Sequence, residues 1–415
     1  MDPRSLKPFT VAVGIVTAGS AVTNGAMAKV QGDTIILGSA ISFTGKYSIK
    51  GIDASNGYNL AVKKINDAGG VKVGGKSYKL KIKFYDDESK PAHSARLMER
   101  LIRHDGIKFM LGPYGSVTTK AVAPITEKYK IPMVEAEAPS RALFTQGYKY
   151  LFAVLSTSEQ HLASVIALAA EVAVKNGKRP QDLRLALVFE NDPFSLDIRA
   201  GVVEDASKFG MKIVISETMP RDLSNISATL TKIRALRPDV LLLSGHSKGA
   251  EMAARQIKEM KIDVPIIAMT DCESAELITK FGASADGFLC PTQWAKTLNY
   301  RDEMFGTAAE YDKLFKATFK GYRKAPYHAA QATAAVMVWK GALERANSFD
   351  IEKIRAALAA TNLKTFYGDI RFSAQGNNLA KPMVLRQIQN GRFNVVAPSK
   401  SASHSIKWPR KASSN

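Results

Sequence analysis

The 415-residue chain is poor in cysteine, tryptophan and histidine, with two, three and six of each. So few cysteines exclude a disulfide-built scaffold and a multi-thiolate metal centre. An exported chain can bridge the pair, Cys272 and Cys290, but spacing alone does not establish that their Cβ atoms meet, and the bridge stays open. Beyond the amino-terminal stretch no run is apolar enough to cross a membrane. Acidic residues are scarce too, 38 against 58 Lys and Arg, for a formal charge of +20. The excess is spread along the chain. It argues for a solvated surface with some attraction to anionic lipid, and against a nucleic-acid partner.

What is present has the composition of an ordinary globular protein, long enough for two domains. The start reads as an export signal. Arg4 and Lys7 are its positive end, residues 9–23 its apolar core, and Ala26-Met27-Ala28 its cleavage site. Removing residues 1–28 leaves a mature chain from Lys29 with a net charge of +19. At the other end, residues 399–415 are Ser-rich and carry Lys400, Lys407, Arg410 and Lys411. They read as a disordered basic tail.

Between these ends, strand-like runs alternate with helical periods, which predicts an α/β protein with parallel sheets. Strands are expected at 34–38, 78–85, 109–111 and 131–134, with helices at 51–68 and 91–104. The pattern restarts after Tyr150, so two similar lobes stand in tandem. Three helices follow at 308–320, 329–346 and 351–360, then a hairpin around Asn390-Gly391.

One stretch gathers the chemistry. Gly112-Pro113-Tyr114-Gly115 turns the chain after a strand, and Ser116 stands at the expected N-cap of a helix. The next strand ends in Glu135-Ala136-Glu137-Ala138-Pro139-Ser140. Free N–H groups and the helix dipole at such a place favour an anion, and ligands of open α/β sheets bind beyond the strand carboxyl ends. Tyr47, Tyr114, Phe194, His246 and Trp294 all fall near predicted strand ends, as expected for an apolar cleft with a few polar groups.

Three literal motifs read more plainly as structure. Residues 70–77 spell a phosphate-binding loop, but a helix precedes and a strand follows, the reverse of what cradling phosphate needs. Gly245-His246-Ser247-Lys248-Gly249 does follow a strand and open a helix. An α/β-hydrolase would use Ser247 with Asp271 or Asp286 and His328, yet no oxyanion segment is visible and a cleft-lining turn is the simpler reading. Asp86-Asp87-Glu88 lacks metal-ligand spacing and reads as a strand end. No metal and no cofactor is expected.

The order of several segments resembles a family. Ser42-Phe43-Thr44-Gly45, Asn66-Asp67-Ala68-Gly69-Gly70-Val71, Tyr85-Asp86-Asp87, Asp105-Gly106-Ile107, residues 112–116, Ile131-Pro132-Met133 and Arg237-Pro238-Asp239 span nearly the whole mature chain. Together they look like a periplasmic substrate-binding protein of the branched-chain amino acid ABC transporter type. The resemblance implies two Rossmann-like lobes joined by a three-crossing hinge, near 153–156, 291–294 and 372–377. Lobe one would be residues 29–154 with 293–373, and lobe two 155–292 with 374–398. It implies a periplasmic monomer that is not an enzyme, captures a small solute by cleft closure and delivers it to a membrane permease. An extracytoplasmic sensor shares the fold and is an alternative, as is the hydrolase.

Residue by residue, the resemblance gives Ser116 the ligand carboxylate and the loop Ala136, Glu137, Ala138 the α-amino acid frame. The family's threonine is missing from that loop and Glu137 intrudes. Phe194 and His246 match aromatic positions of the second lobe. The acid expected for the ligand ammonium aligns at Thr270, with Asp271 one residue later. Asp271 or Glu137 would replace it, or the ligand lacks an ammonium. Tyr47 and Lys50 face the cleft from the loop after the first strand. Leucine-like amino acids, aromatic acids and small amides all remain open.

Overall fold

Two mostly parallel sheets, each covered by helices, organise the computed structural model, which describes residues 30–221, 225–273 and 276–410. The export signal and its cleavage site lie outside the described residues.

The first lobe begins with β1 (Val30–Gln31), β2 (Thr34–Ile41), α1 (Ser48–Asp67), β3 (Val71–Val73) and β4 (Lys76–Asp86). It continues through α2 (Pro91–Arg103), β5 (Met110–Leu111), α3 (Ser116–Lys128), β6 (Met133–Glu135) and β7 (Leu151–Ala153). The strand order is β3-β4-β2-β5-β6-β7, with β1 on β2. β2 is apolar and buried almost throughout, as a central strand covered on both faces requires. The phosphate-loop look-alike is the β3–β4 hairpin, which turns on Gly74 and Gly75, both at positive φ.

The second lobe runs α4 (Ala163–Lys175), β8 (Arg184–Glu190), α5 (Pro193–Lys208), β9 (Lys212–Met219), α6 (Ser227–Leu236) and β10 (Val240–Ser244). Then come α7 (Ser247–Glu259), β11 (Ile266–Met269), α8 (Leu277–Phe281) and β12 (Leu289–Thr292). As expected, Asp192 caps α5, its side chain accepting from Ser195 N, with Pro193 in the first turn.

The chain then returns to the first lobe. Short strands β13 (Arg301–Asp302) and β14 (Gly306–Thr307) precede α9 (Ala308–Thr318), α10 (Tyr327–Ala346), α11 (Ile351–Ala359), β15 (Asn362–Thr365) and β16 (Gly368–Arg371). α10 lies on α1 so closely that a Cβ at Gly57 would stand 2.1 Å from the Ala329 carbonyl oxygen. Finally β17 (Val384–Gln389) and β18 (Arg392–Ala397) join the second sheet, whose order is β18-β17-β12-β11-β10-β8-β9.

The strand order reverses between β2 and β5 in one sheet and between β8 and β10 in the other. Each reversal opens a crevice at the strand carboxyl ends. The two crevices face one another, because Lys46 after β2 pairs with Glu190 at the end of β8 at 3.2 Å.

The three crossings are knotted together by one residue from each. Ser156 N donates to Gln293 Oε1 at 3.1 Å, Gln293 Nε2 to Ser156 O at 2.9 Å, and Ser156 Oγ to the Lys381 carbonyl at 2.7 Å. The third crossing falls later than 372–377. Ala153 N still donates to Gly376 O, and Leu379 N to Arg371 O, so residues 373–379 remain on the first sheet.

Two expectations are corrected by packing. Residues 399–410 are not a loose tail. Buried Gln387 and Gln389 on β17 donate to the Lys407 and Ser405 carbonyls. Ile406 and Trp408 pack on the second-lobe core, and Arg410 covers the Phe288 ring at 4.9 Å. Trp294 does not reach the cleft. It is buried in the first-lobe core against Tyr311 and Phe366, its indole N–H on the Phe366 carbonyl at 3.0 Å. The open disulfide is formed: Cys272 and Cys290 are bridged, with Cα atoms 5.9 Å apart.

Candidate functional site

A cavity with an empty volume of ≈ 390 Å³ lies between the crevices. Tyr114, Ser116 and Glu137 line it from one lobe, and Phe194, His246 and Asp271 from the other. The remaining predicted residues flank it or lie behind it. Tyr47 packs on Tyr114 and His246 at 5.2 and 5.3 Å. Lys50 pairs with Asp271, and Ala136 and Ala138 are buried in the core.

The helix start differs in detail from expectation. Gly115, at φ 87°, is the N-cap of α3, and Ser116 is its first residue. A left-handed φ suits glycine, which explains why the serine falls one position later. Ser116 Oγ accepts from Ser140 N at 3.1 Å, so its hydroxyl hydrogen stays available to an anion beside the first-turn amides of α3.

The end of β6 and the loop after it carry two fully buried carboxyls. Glu135 accepts from Thr119 Oγ1 at 2.9 Å and from Glu137 N at 2.6 Å, and burial pushes its pKa up to about 7. Gly112 makes room for it, since a Cβ there would lie 2.0 Å from the Glu135 carboxyl. Glu137 meets His328 Nδ1 at 2.6 Å and accepts from Gln331 Nε2 at 2.8 Å. Burial first, and the neighbouring Glu135 as well, hold the Glu137 carboxyl well above the ordinary range. Burial, helped by the Lys50 charge, keeps His328 and His246 neutral.

The opposite wall carries rings. Phe194 lies 5.9 Å from His246 and 5.1 Å from His161. On the first-lobe side His328 lies 5.6 Å from Tyr114 and 4.0 Å from Tyr327. Pro139, Leu155, His161, Gln293, Tyr327, His328 and Gln331 also line the cavity, and sequence reasoning did not place them there. In the sequence His328 reads only as the base of the hydrolase alternative.

The hydrolase constellation is not assembled. Ser247 opens α7 as the motif requires, but its partners are committed elsewhere. Asp271 pairs with Lys50, His328 with Glu137, and Asp286 accepts from the Asn390 and Gly391 amides. Asp86 and Asp87 also have structural work. Asp86 accepts from Phe43 N, Thr44 N and Thr44 Oγ1, and Asp87 from Ser42 Oγ, so both shape the loop that leads to Tyr47; Lys50, expected on that loop, lies in the first turn of α1. Glu190, Asp192 and His246 come close enough to suggest a metal, yet Glu190 binds Lys46 and Asp192 binds Ser195.

The sequence from residue 34 to 392 matches the family described as periplasmic binding protein. The chain belongs to that family. This periplasmic binding protein is similar to Leu/Ile/Val-binding protein homolog 8 of Brucella abortus, 22% identical over 395 residues that cover 93% of this chain and 95% of that protein. Its fold is that of the branched-chain amino acid transporter substrate binding protein LivJ of Streptococcus pneumoniae in complex with isoleucine. That likeness has a TM-score of 0.75 at 22% identity, covering 88% of this chain and 100% of that one. A solute binding protein of R. palustris in complex with benzoate gives a TM-score of 0.71 at 18% identity, covering 89% and 97%. The resemblance read from the sequence and the two-lobe α/β fold it implied are borne out. The family and these neighbours are substrate-binding proteins, not enzymes, and among the described residues no helix is long and apolar enough to cross a membrane.

Proposed function

We propose that this periplasmic binding protein is the solute-capturing component of an ABC importer. It closes two lobes on a small carboxylate-bearing solute and presents it to a membrane permease, acting as a monomer in the periplasm after cleavage behind Ala28. With the third crossing at 380–383, the boundaries expected from the sequence shift there, to 29–154 with 293–379 for lobe one and 155–292 with 384–398 for lobe two.

The observation that carries this reading is the start of α3, opening with Gly115 and Ser116 into a cavity walled by both lobes. Helix N-termini favour anions. Tyr114, Ser116 and Glu137 from one side and Phe194, His246 and Asp271 from the other make ligand contact depend on closure. Tyr47 and Lys50 carry the closed state across the cleft, and Ala136 and Ala138 back the loop. The ligands of two similar proteins, isoleucine and benzoate, are both small carboxylates.

The test is calorimetric titration of the mature chain with a panel of small carboxylates. Ser116→Ala is expected to weaken the best of them by about tenfold, the size of one charge-assisted hydrogen bond. An unchanged dissociation constant would remove Ser116 from the site.

A further inference from the structure

The cavity offers a place for an anion but none for an ammonium. Asp271 is already paired with Lys50, and the two side chains are only 5% and 4% exposed. The lysine comes from the first lobe and the aspartate from the second, so the protein supplies internally the cation that an amino acid would bring. Lys50 Nζ also stands 5.6 Å from the Tyr114 ring, where its charge opposes a second cation. The other carboxyl on the wall, Glu137, is engaged by His328 and Gln331, and burial raises its pKa well above the ordinary range, which weakens its pull on a cation.

That same Glu137 carries a second signal. Glu137 occupies His328 Nδ1 at 2.6 Å, which leaves Nε2 as the open nitrogen of the ring. His328 Nε2 and Glu137 Oε1 are buried without a hydrogen-bond partner, and both residues line the cavity. Polar atoms left open in a buried wall are costly unless a ligand meets them. A ligand hydroxyl, which can donate or accept, meets His328 Nε2 whichever ring nitrogen carries the proton. The flanking rings of Tyr114, Tyr327, Phe194 and His246 favour a planar body between them.

We propose that the cleft selects a hydroxyl-bearing aromatic carboxylate with no ammonium group, its carboxylate at the start of α3 and its ring hydroxyl on His328 Nε2. This rests on the solute-capture reading and narrows it to one ligand class.

The test titrates the mature chain with benzoate, with ortho-, meta- and para-hydroxybenzoate, and with leucine and phenylalanine. At least one hydroxybenzoate is expected to bind about tenfold or more tighter than benzoate, since a site built for a hydroxyl rejects the analogue lacking it. Both amino acids are expected to bind far more weakly than benzoate. His328→Phe is expected to bring the affinities for benzoate and the hydroxybenzoates together, whatever it does to both. Equal affinity for benzoate and every hydroxybenzoate, or leucine or phenylalanine binding tightest, overturns the proposal but leaves carboxylate capture standing. Failure of all six compounds to bind overturns both.

Discussion

Lys381 lays its ammonium on the main-chain carbonyl of Gln293, where the three chain crossings touch. The residue is buried at 3% exposure, and burial lowers its pKa from 10.5 to about 7. It faces the Tyr367 ring at 4.5 Å, and His161, whose own pKa burial lowers to about 4, lies near enough to feel its charge.

The sign of the pH effect follows. Between about 7 and 10.5 the unfolded chain holds the Lys381 proton and the folded chain does not, so stability rises with pH across that window. Lys381→Met is expected to raise the melting temperature at and below neutral pH and to flatten the rise above it. Melting curves across the window check this, and parallel profiles for both proteins would contradict it.

Glu135 has the opposite effect. Its folded pKa is raised from 4.5 to about 7 by burial, so the folded chain keeps a proton the unfolded chain has lost. The contribution is complete below about 4.5 and disappears as pH rises through about 7. Glu135→Gln is expected to flatten that fall while keeping an acceptor for Thr119 or the Glu137 amide. Denaturant midpoints on either side of the window provide the check.

Lys50→Ala should change ligand class. Without Lys50, Asp271 is left buried and unpaired, which destabilises the closed form by a few kcal/mol, on the order seen when one partner of a buried pair is removed. A ligand ammonium can then take the vacated position. The variant, confirmed folded by circular dichroism, is expected to gain phenylalanine binding over the parent. No gain would contradict the assignment of Lys50 as a stand-in cation.

The disulfide closes a short loop, with its cysteines 18 positions apart. Replacing both by serine is expected to cost about 3 kcal/mol, the chain-entropy value for a loop of that size. Urea unfolding of the double variant against the oxidised parent measures it.

Much of the fold was legible in the chain because each α/β unit announces itself locally. Apolar runs such as 240–244 alternate with helical periods, and Asp192-Pro193 signals its own helix start. The anion half of the cavity was legible for the same reason, since Gly115 and Ser116 adjoin a strand and a helix. The other half was not. Glu137 meets His328 across 191 residues, and Lys50 meets Asp271 across 221, distances over which no local pattern carries information. The tail misled for a related reason: its Ser-rich, basic composition argued for disorder, while the partners that order it, Gln387, Gln389 and Phe288, lie elsewhere. Trp294 misled because a strand end does not say which face its side chain takes.

The carboxylate at the start of α3 is the claim on which the rest depends, and an acid measured against its primary amide tests it most directly. The pair has nearly the same shape and differs in charge. Calorimetric titration of the mature chain at neutral pH with benzoate and benzamide is predicted to give at least about tenfold tighter binding of the acid. Equal affinity for the two, or preference for the amide, would contradict the account.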